Sequence, residues 1–179
     1  MVNYVLLVVK SGLKGRSIMA PYYGEAEAAV DDKGRVLVPV SLRQIMKVNG
    51  HETWFLTRGF DRAIFCLHLP MWERLQEKMP GNTLLPGQID FWRVFLGGAS
   101  RVSLDGQGRL MLPPSLRQFA GIDRNAVVIG VHDHLEIWSP EGWSRFQEQQ
   151  LSAYKTMAAE IFGGVRTAVA ETDGGNARC

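Results

Sequence analysis

The chain has 179 residues, a hydrophobic share of 46% and a formal net charge of +2, which are ordinary values for a globular protein of one domain or two small ones. The charge is too small to indicate nucleic-acid binding by itself, and Cys66 and Cys179 are too few for a disulfide framework. No apolar run approaches the length of a membrane-spanning helix, so we expect no membrane partner and a reducing cytoplasmic location.

The first eighteen residues look separate from the rest of the chain. Val5 to Val9 form a short apolar run with no basic leader before it, and Lys10 follows directly, which fits a signal peptide poorly. We expect residues 1–18 to be an extension outside the fold, with Met19 a candidate for the true start of the protein.

One segment of the sequence occurs twice. Residues 31–44 recur as residues 105–118, at a constant offset of 74 positions. The copies share a D-x-x-G-R turn, an apolar run, a proline and the sequence S-L-R-Q, and both hold more basic than acidic residues. Each copy is too short to bury its own core, so it needs partners. Because the polar turn is repeated as faithfully as the apolar positions, the repeat indicates two equivalent contact surfaces.

The apolar patterns predict the same elements around both copies: a strand, a short helix that begins near the proline, and a hairpin. In the first copy these are a strand at 36–38, a helix from 39 or 40 to 49, and hairpin strands at 54–56 and 63–67. In the second copy they are a strand at 110–112, a helix at 113–120, and hairpin strands at 127–131 and 135–138. Helices at 70–79 and 88–96 separate the copies, and a longer helix at 140–162 follows them.

The D-x-x-G-R turns are the main candidates for a functional site. Their candidate residues are Asp31 and Asp105, the turn-forming Gly34 and Gly108, and Arg35 and Arg109. Glycine permits a tight turn, and an arginine directly after it can pair with a phosphate or bidentately with guanine. The aspartate can orient the guanidinium across the turn. The alternative is that each aspartate and arginine form only a structural ion pair, and the residues alone leave both interpretations open.

Three further basic residues, Lys33, Arg43 and Arg117, are candidates for phosphate contacts that position a protein on DNA. The alternative is that they are ordinary solvated charges. The second turn has Gln107 where the first has Lys33, so the two turns can differ in phosphate contact. His132 and His134 are interpreted as part of a solvated hairpin turn, and we expect neither a metal site nor a cofactor.

The order of strand, D-x-x-G-R turn, L/V-P, short helix and hairpin resembles the swapped-hairpin AbrB fold of bacterial transition-state regulators and antitoxins. Two tandem copies with helices between and after them resemble the MraZ family, which regulates transcription of the bacterial division and cell-wall gene cluster. The paired turns, each followed by P-x-S-L-R, carry most of this resemblance. Further matching segments are Tyr23-Gly24-Glu25, Leu96-Gly97-Gly98-Ala99 and Glu136-Ile137-Trp138.

The resemblance implies an α+β fold of two tandem AbrB-like swapped-hairpin β-barrel modules with connecting and C-terminal helices. The expected boundaries are 1–18 for the N-terminal extension, 24–71 for the first SpoVT-AbrB-like domain, 72–97 for a helical connector, 98–141 for the second domain, 142–162 for a C-terminal helix and 163–179 for a disordered tail.

The resemblance also implies a function. The expected protein is a sequence-specific transcriptional regulator and not an enzyme. It would bind short direct repeats in double-stranded DNA upstream of its own operon, as a homo-oligomeric ring of eight or twelve subunits associated with the nucleoid. The alternative is an AbrB-like antitoxin-type module that binds a partner protein and contacts DNA only secondarily.

Overall fold

The computed structural model describes residues 19–79 and 87–170, with side chains up to residue 163. Its strands are β1 (Glu25–Ala29), β2 (Arg35–Leu37), β3 (Thr53–Arg58), β4 (Ile64–His68), β5 (Ser100–Ser103), β6 (Arg109–Met111), β7 (Asn125–Val131) and β8 (His134–Trp138). Its helices are α1 (Val40–Asn49), α2 (Leu69–Glu77), α3 (Ile89–Gly97), α4 (Pro114–Ala120) and α5 (Pro140–Ala170). The chain divides into two compact units, one up to Gly142 and one from Trp143 onward. The expected N-terminal extension lies outside the described residues.

The strands of the two sequence copies pair with each other. Six strands form one antiparallel sheet in the order β1-β7-β8-β4-β3-β5, and β2 pairs with β6 in a separate two-stranded ribbon. The edge strand β1 comes from the first copy and lies on the hairpin of the second, whereas β5 comes from the second copy and lies on the hairpin of the first. The two hairpins meet where β4 pairs with β8. Neither copy therefore completes a sheet from its own strands.

One hydrophobic core joins both copies. Val36 of β2 and Leu110 of β6 lie opposite each other and have no exposed surface. The short helices add Leu42 and Leu116 to this core, and each helix ends at a left-handed glycine, as expected for a helix C-terminus. The matching helices and strands place the two turns in equivalent surroundings.

A second, smaller cluster lies beneath the helices between the copies. Trp72 of α2 stacks on Phe55 of β3 with ring centroids 4.5 Å apart, and Phe95 of α3 stacks on Trp72 from 5.9 Å. The connecting helices are thus packed against the sheet by aromatic side chains, in agreement with their predicted apolar spacing.

Two features differ from the sequence-based predictions. Strands β1 and β5 were not predicted, because EAEAA consists of residues with low strand propensity and SRVS contains a single apolar residue. Helix α5 continues to Ala170, so residues 163–170, which were expected in a disordered tail, are helical. Gly163 and Gly164 each lower helix propensity by about 1 kcal/mol, which explains the predicted end at Phe162. Residues 171–179 lie outside the described part of the chain.

Candidate nucleic-acid interface

The first D-x-x-G-R turn is held by its own aspartate. The backbone N–H of Gly34 donates to the Asp31 carbonyl oxygen at 2.8 Å, and the φ of Gly34 is +80°, a conformation that favours glycine. Asp31 Oδ1 accepts hydrogen bonds from the backbone N–H groups of Lys33 (3.0 Å) and Arg35 (2.9 Å). Its Oδ2 accepts from Arg35 Nε at 2.8 Å. One carboxylate therefore fixes both the turn and the arginine side chain after it.

The second turn repeats this geometry. Gly108 has a φ of +79°, and its N–H donates to the Asp105 carbonyl oxygen at 2.9 Å. Asp105 Oδ1 accepts from the backbone N–H groups of Gln107 (2.9 Å) and Arg109 (3.0 Å), and Oδ2 accepts from Arg109 Nε at 2.8 Å. The two turns thus have the same local structure although one carries lysine and the other glutamine.

The ribbon of β2 and β6 brings the two turns side by side. Arg109 Nη1 lies 3.4 Å from Asp31 Oδ2, and Arg35 Nη1 lies 3.8 Å from Asp105 Oδ2. These four residues, Asp31, Arg35, Asp105 and Arg109, are called the Asp–Arg quartet below. Contacts within each turn are shorter than contacts between the turns, so each arginine is anchored by its own aspartate and also contacts the other.

The quartet is electrostatically balanced and partly exposed. Hydrogen bonds from the arginine of the same turn are the main cause that lowers the pKa of Asp31 and of Asp105 to about 2. The side chains of Arg35 and Arg109 are 26% and 21% exposed. The structure therefore contains the ion pair that both sequence-based interpretations require, with part of each arginine side chain still exposed to solvent.

The turn glycines contact arginines of the opposite copy. Arg117 of α4 packs on Gly34, where a Cβ atom would lie 2.9 Å from Nη1. Arg43 of α1 packs on Gly108, where a Cβ atom would lie 2.6 Å from Cδ. The positive φ therefore favours glycine at both turns, and a Cβ atom there would also displace an arginine side chain.

Arg43 and Arg117 are each anchored by a backbone carbonyl oxygen. Arg43 Nε donates to Val38 at 2.9 Å, and Arg117 Nη2 donates to Asp123 at 3.2 Å. Both arginines are partly buried, so they are not freely solvated charges. Their packing on the turns was not predicted, because it joins residues of different copies. The sequence signal that could have indicated this packing is that the glycine and the arginine both occur in each copy.

Lys33 is exposed at the tip of the first turn. Gln107 occupies the equivalent exposed position of the second turn. The quartet, the two packed arginines and Lys33 therefore lie around one ribbon, which brings together all of the basic residues predicted for the site.

The histidines of the β7–β8 hairpin differ from the solvated turn that was predicted. His132 is exposed, but His134 is partly buried, with Nδ1 2.9 Å from Asp133 Oδ1 and Nε2 3.3 Å from Glu136 Oε1. Burial lowers the pKa of His134, yet the bonds to Glu136 and Asp133 outweigh it and raise that pKa above its ordinary value. The difference arises because His134 is the first residue of β8, where residues two apart such as His134 and Glu136 lie on the same face of the strand.

Across residues 19–79 and 87–170, no group of three or more His, Cys, Asp or Glu side chains could hold a metal ion. Over the same part of the chain, no helix combines the length and hydrophobicity that crossing a membrane demands.

Comparison with known proteins identifies the family. Residues 95–162 match the family model described as "MraZ protein, putative antitoxin-like". A protein of Natranaerobius thermophilus named transcriptional regulator MraZ is 39% identical over 78% of this chain and 96% of its own length. A relative of the same name from Thermomicrobium roseum is 40% identical over 69% of this chain and 84% of its own length. A third, from Symbiobacterium thermophilum, is 34% identical over 77% of this chain and 98% of its own length. The chain therefore belongs to the MraZ family, a family of transcriptional regulators and not of enzymes.

Proposed function

We propose that this protein is a sequence-specific regulator that contacts promoter DNA through its two D-x-x-G-R turns. The observation that carries the proposal is the position of Arg35 and Arg109 on one two-stranded ribbon, each oriented by an aspartate. A ribbon of this kind fits the major groove of B-form DNA, where arginine is the usual reader of guanine.

The hydrogen bonds of the quartet leave donors for DNA. A guanidinium has five N–H donors. Asp31 accepts from Nε of Arg35 and lies 2.7 Å from its Nη2, so N–H groups on the terminal nitrogens are available for a guanine edge or a phosphate. Because the aspartate fixes the side chain beforehand, less conformational entropy is lost on binding.

Phosphate contacts are assigned to Lys33, Arg43 and Arg117. Lys33 is exposed at the first turn, and the two arginines lie against the turn glycines. Cations at the edge of a base-reading surface position a protein on the duplex without reading sequence. The quartet has no net charge, so we assign the positive charge available for phosphates to these three residues.

The proposal extends to architecture and assembly. The exchange of β1 and β5 between the copies supports a swapped-hairpin arrangement in which the two tandem copies interlock. We propose a homo-oligomeric ring of eight or twelve subunits that binds short direct repeats upstream of the operon for division and cell-wall genes, in the cytoplasm at the nucleoid. Exposed apolar side chains on α5 support self-association, namely Leu151, Tyr154, Ile161 and Phe162.

The same exposed side chains favour a second candidate function. An antitoxin-type module would use such a surface to bind a different protein, with DNA binding secondary. Size-exclusion chromatography with light scattering at micromolar concentration separates the two, because self-association gives a mass of eight or twelve subunits for the protein alone.

The direct test uses DNA from immediately upstream of the protein's own reading frame in an electrophoretic shift assay. Arg35→Ala combined with Arg109→Ala should abolish specific binding, since each lost bidentate contact removes about 1–3 kcal/mol. Arg93→Ala is the matched control, because Arg93 is 70% exposed and pairs only with Asp90 at 2.9 Å among the ion pairs of the described residues. Intact oligomers of the double variant that still bind this DNA normally would contradict the proposal.

A further inference from the structure

Two exposed apolar side chains lie on the same ribbon as the arginines. Leu37 is 43% exposed and Met111 is 44% exposed, whereas their neighbours Val36 and Leu110 have no exposed surface. Alternation along a strand explains the difference, since successive side chains point to opposite faces. The inner face of the ribbon therefore supplies the core, and the fold gives no reason for apolar side chains on the outer face.

The two exposed side chains occupy equivalent positions. Leu37 and Met111 are separated by the 74-residue offset of the repeat, so the apolar residue occurs at the same place in both copies. Single exposed apolar residues are common on protein surfaces. An exposed apolar residue at the same position of both turns, two residues beyond the arginine, indicates a shared role.

The strand register places each apolar side chain opposite an arginine. Met111 pairs with Arg35, and Leu37 pairs with Arg109. Side chains that lie directly opposite on one face of an antiparallel pair have Cβ atoms about 4.5–5.5 Å apart. The outer face thus has an arginine and an apolar side chain at each end, related by an approximate two-fold axis through the Val36–Leu110 pair.

We propose that Leu37 and Met111 bind the 5-methyl groups of thymine beside the bases that the arginines contact. In the major groove, thymine is the base that presents a methyl group, and apolar side chains recognise it by excluding water. This inference rests on the proposed DNA binding and specifies what the ribbon reads. It assigns to each end of the ribbon one polar and one apolar base contact.

The expected sequence preference follows from this arrangement. A site should carry thymine close to guanine at both ends of the segment covered by one ribbon. Arginine alone would accept any base beside the guanine, so the apolar residues convert a guanine reader into a reader of at least two adjacent positions.

The test compares DNA with and without the methyl group. The upstream fragment is prepared once with thymine and once with deoxyuridine at every thymine position. The unmodified protein should bind the uracil fragment more weakly, by about fourfold for each methyl group that it buries. The double variant Leu37→Ala, Met111→Ala should bind both fragments with equal affinity, because it lacks the groups that contact the methyl.

A matched control excludes indirect effects. Val48→Ala removes a comparable exposed side chain, 51% exposed, from α1 and should keep the thymine-to-uracil ratio of the unmodified protein. An effect of uracil on DNA stiffness would persist in the double variant and would overturn the inference. Equal binding of both fragments by the unmodified protein would also overturn it, with DNA binding itself intact. No binding to either fragment would overturn the proposed function and this inference with it.

Discussion

At the scale of single residues, the two turns differ not only in Asp32 and Gly106 but also in Lys33 and Gln107. Their backbone N–H groups donate to the turn aspartate at nearly the same distance, 3.0 and 2.9 Å, so the side chains can be exchanged without changing the turn. On the proposed DNA interface, a change of this charge would therefore alter phosphate contacts while the hydrogen bonds of the turn are kept.

This exchange gives a prediction on salt dependence. The slope of log affinity against log salt concentration falls by about 0.9 for each phosphate that is neutralised. Lys33→Gln should make the slope shallower by about this amount per bound subunit, and Gln107→Lys should make it steeper by the same amount. Titrations of the upstream fragment at several salt concentrations measure both. Identical slopes for all three proteins would show that this position does not contact DNA.

The turn glycines give a second prediction. Gly108→Ala introduces a side chain at positive φ, at a cost of about 1–2 kcal/mol in the free energy of unfolding. Gly50→Ala should carry this φ cost alone, because Gly50 has a φ of +67° and no atom within 4 Å of the added Cβ. Only Gly108→Ala should also weaken DNA binding, since its Cβ displaces Arg43. Urea unfolding and DNA titration of both variants provide the measurements, and equal DNA affinities would contradict a role for Arg43.

At the scale of elements, the sequence predicts what is local and misses what depends on the other copy. The ribbon strands, α1, α4 and both hairpins were predicted because each has its own apolar pattern and a stop signal such as Gly50 or Gly121. Strands β1 and β5 become strands by pairing with hairpins far away in the sequence. The contact of Arg117 with Gly34 escaped prediction for the same reason, whereas the ion pair within each turn spans four residues and could be predicted.

Helix α2 begins at a buried histidine. His68 Nδ1 accepts a hydrogen bond from the Met71 backbone N–H at 3.2 Å, and its ring stacks on His51 with centroids 3.8 Å apart. Burial is the main cause that lowers the pKa of His68 to about 4, and electrostatic interactions with His51 and Arg74 act in the same direction. The helix is therefore capped by a histidine that stays neutral in the folded protein.

This cap makes stability depend on pH. As the pH falls below about 6.5, the unfolded chain binds a proton that the folded protein does not accept until about pH 4, so the free energy of unfolding decreases across this window. His68→Asn keeps a capping acceptor and should reduce that slope by up to about 1.4 kcal/mol per pH unit. Part of the pH dependence of stability should remain in this variant, because burial also lowers the pKa of His51. A slope for His68→Asn equal to that of the unmodified protein would contradict the prediction.

At the scale of the whole molecule, the exchange of strands makes the two copies depend on each other. The first copy alone would lack β6 as the partner of β2 and β7 as the partner of β1. We expect a fragment of residues 19–79 to fold only by associating with a second fragment that supplies these strands. Light scattering should show a dimer, and circular dichroism should show the secondary structure of a folded protein. A folded monomer would contradict the interdependence of the copies.

The fusion of two interlocked copies also gives the molecule a direction. Two separate chains of one copy would present identical halves, and a duplex turned end for end would look the same to them. In this chain Lys33 marks one half and Gln107 the other, while the Asp–Arg quartet keeps both halves in the same geometry. Because the two halves belong to one polypeptide, each half can acquire its own substitutions. The two halves of the chain would therefore contact the two ends of the proposed DNA site differently. The chain can then distinguish the polarity of the sequence to which it binds.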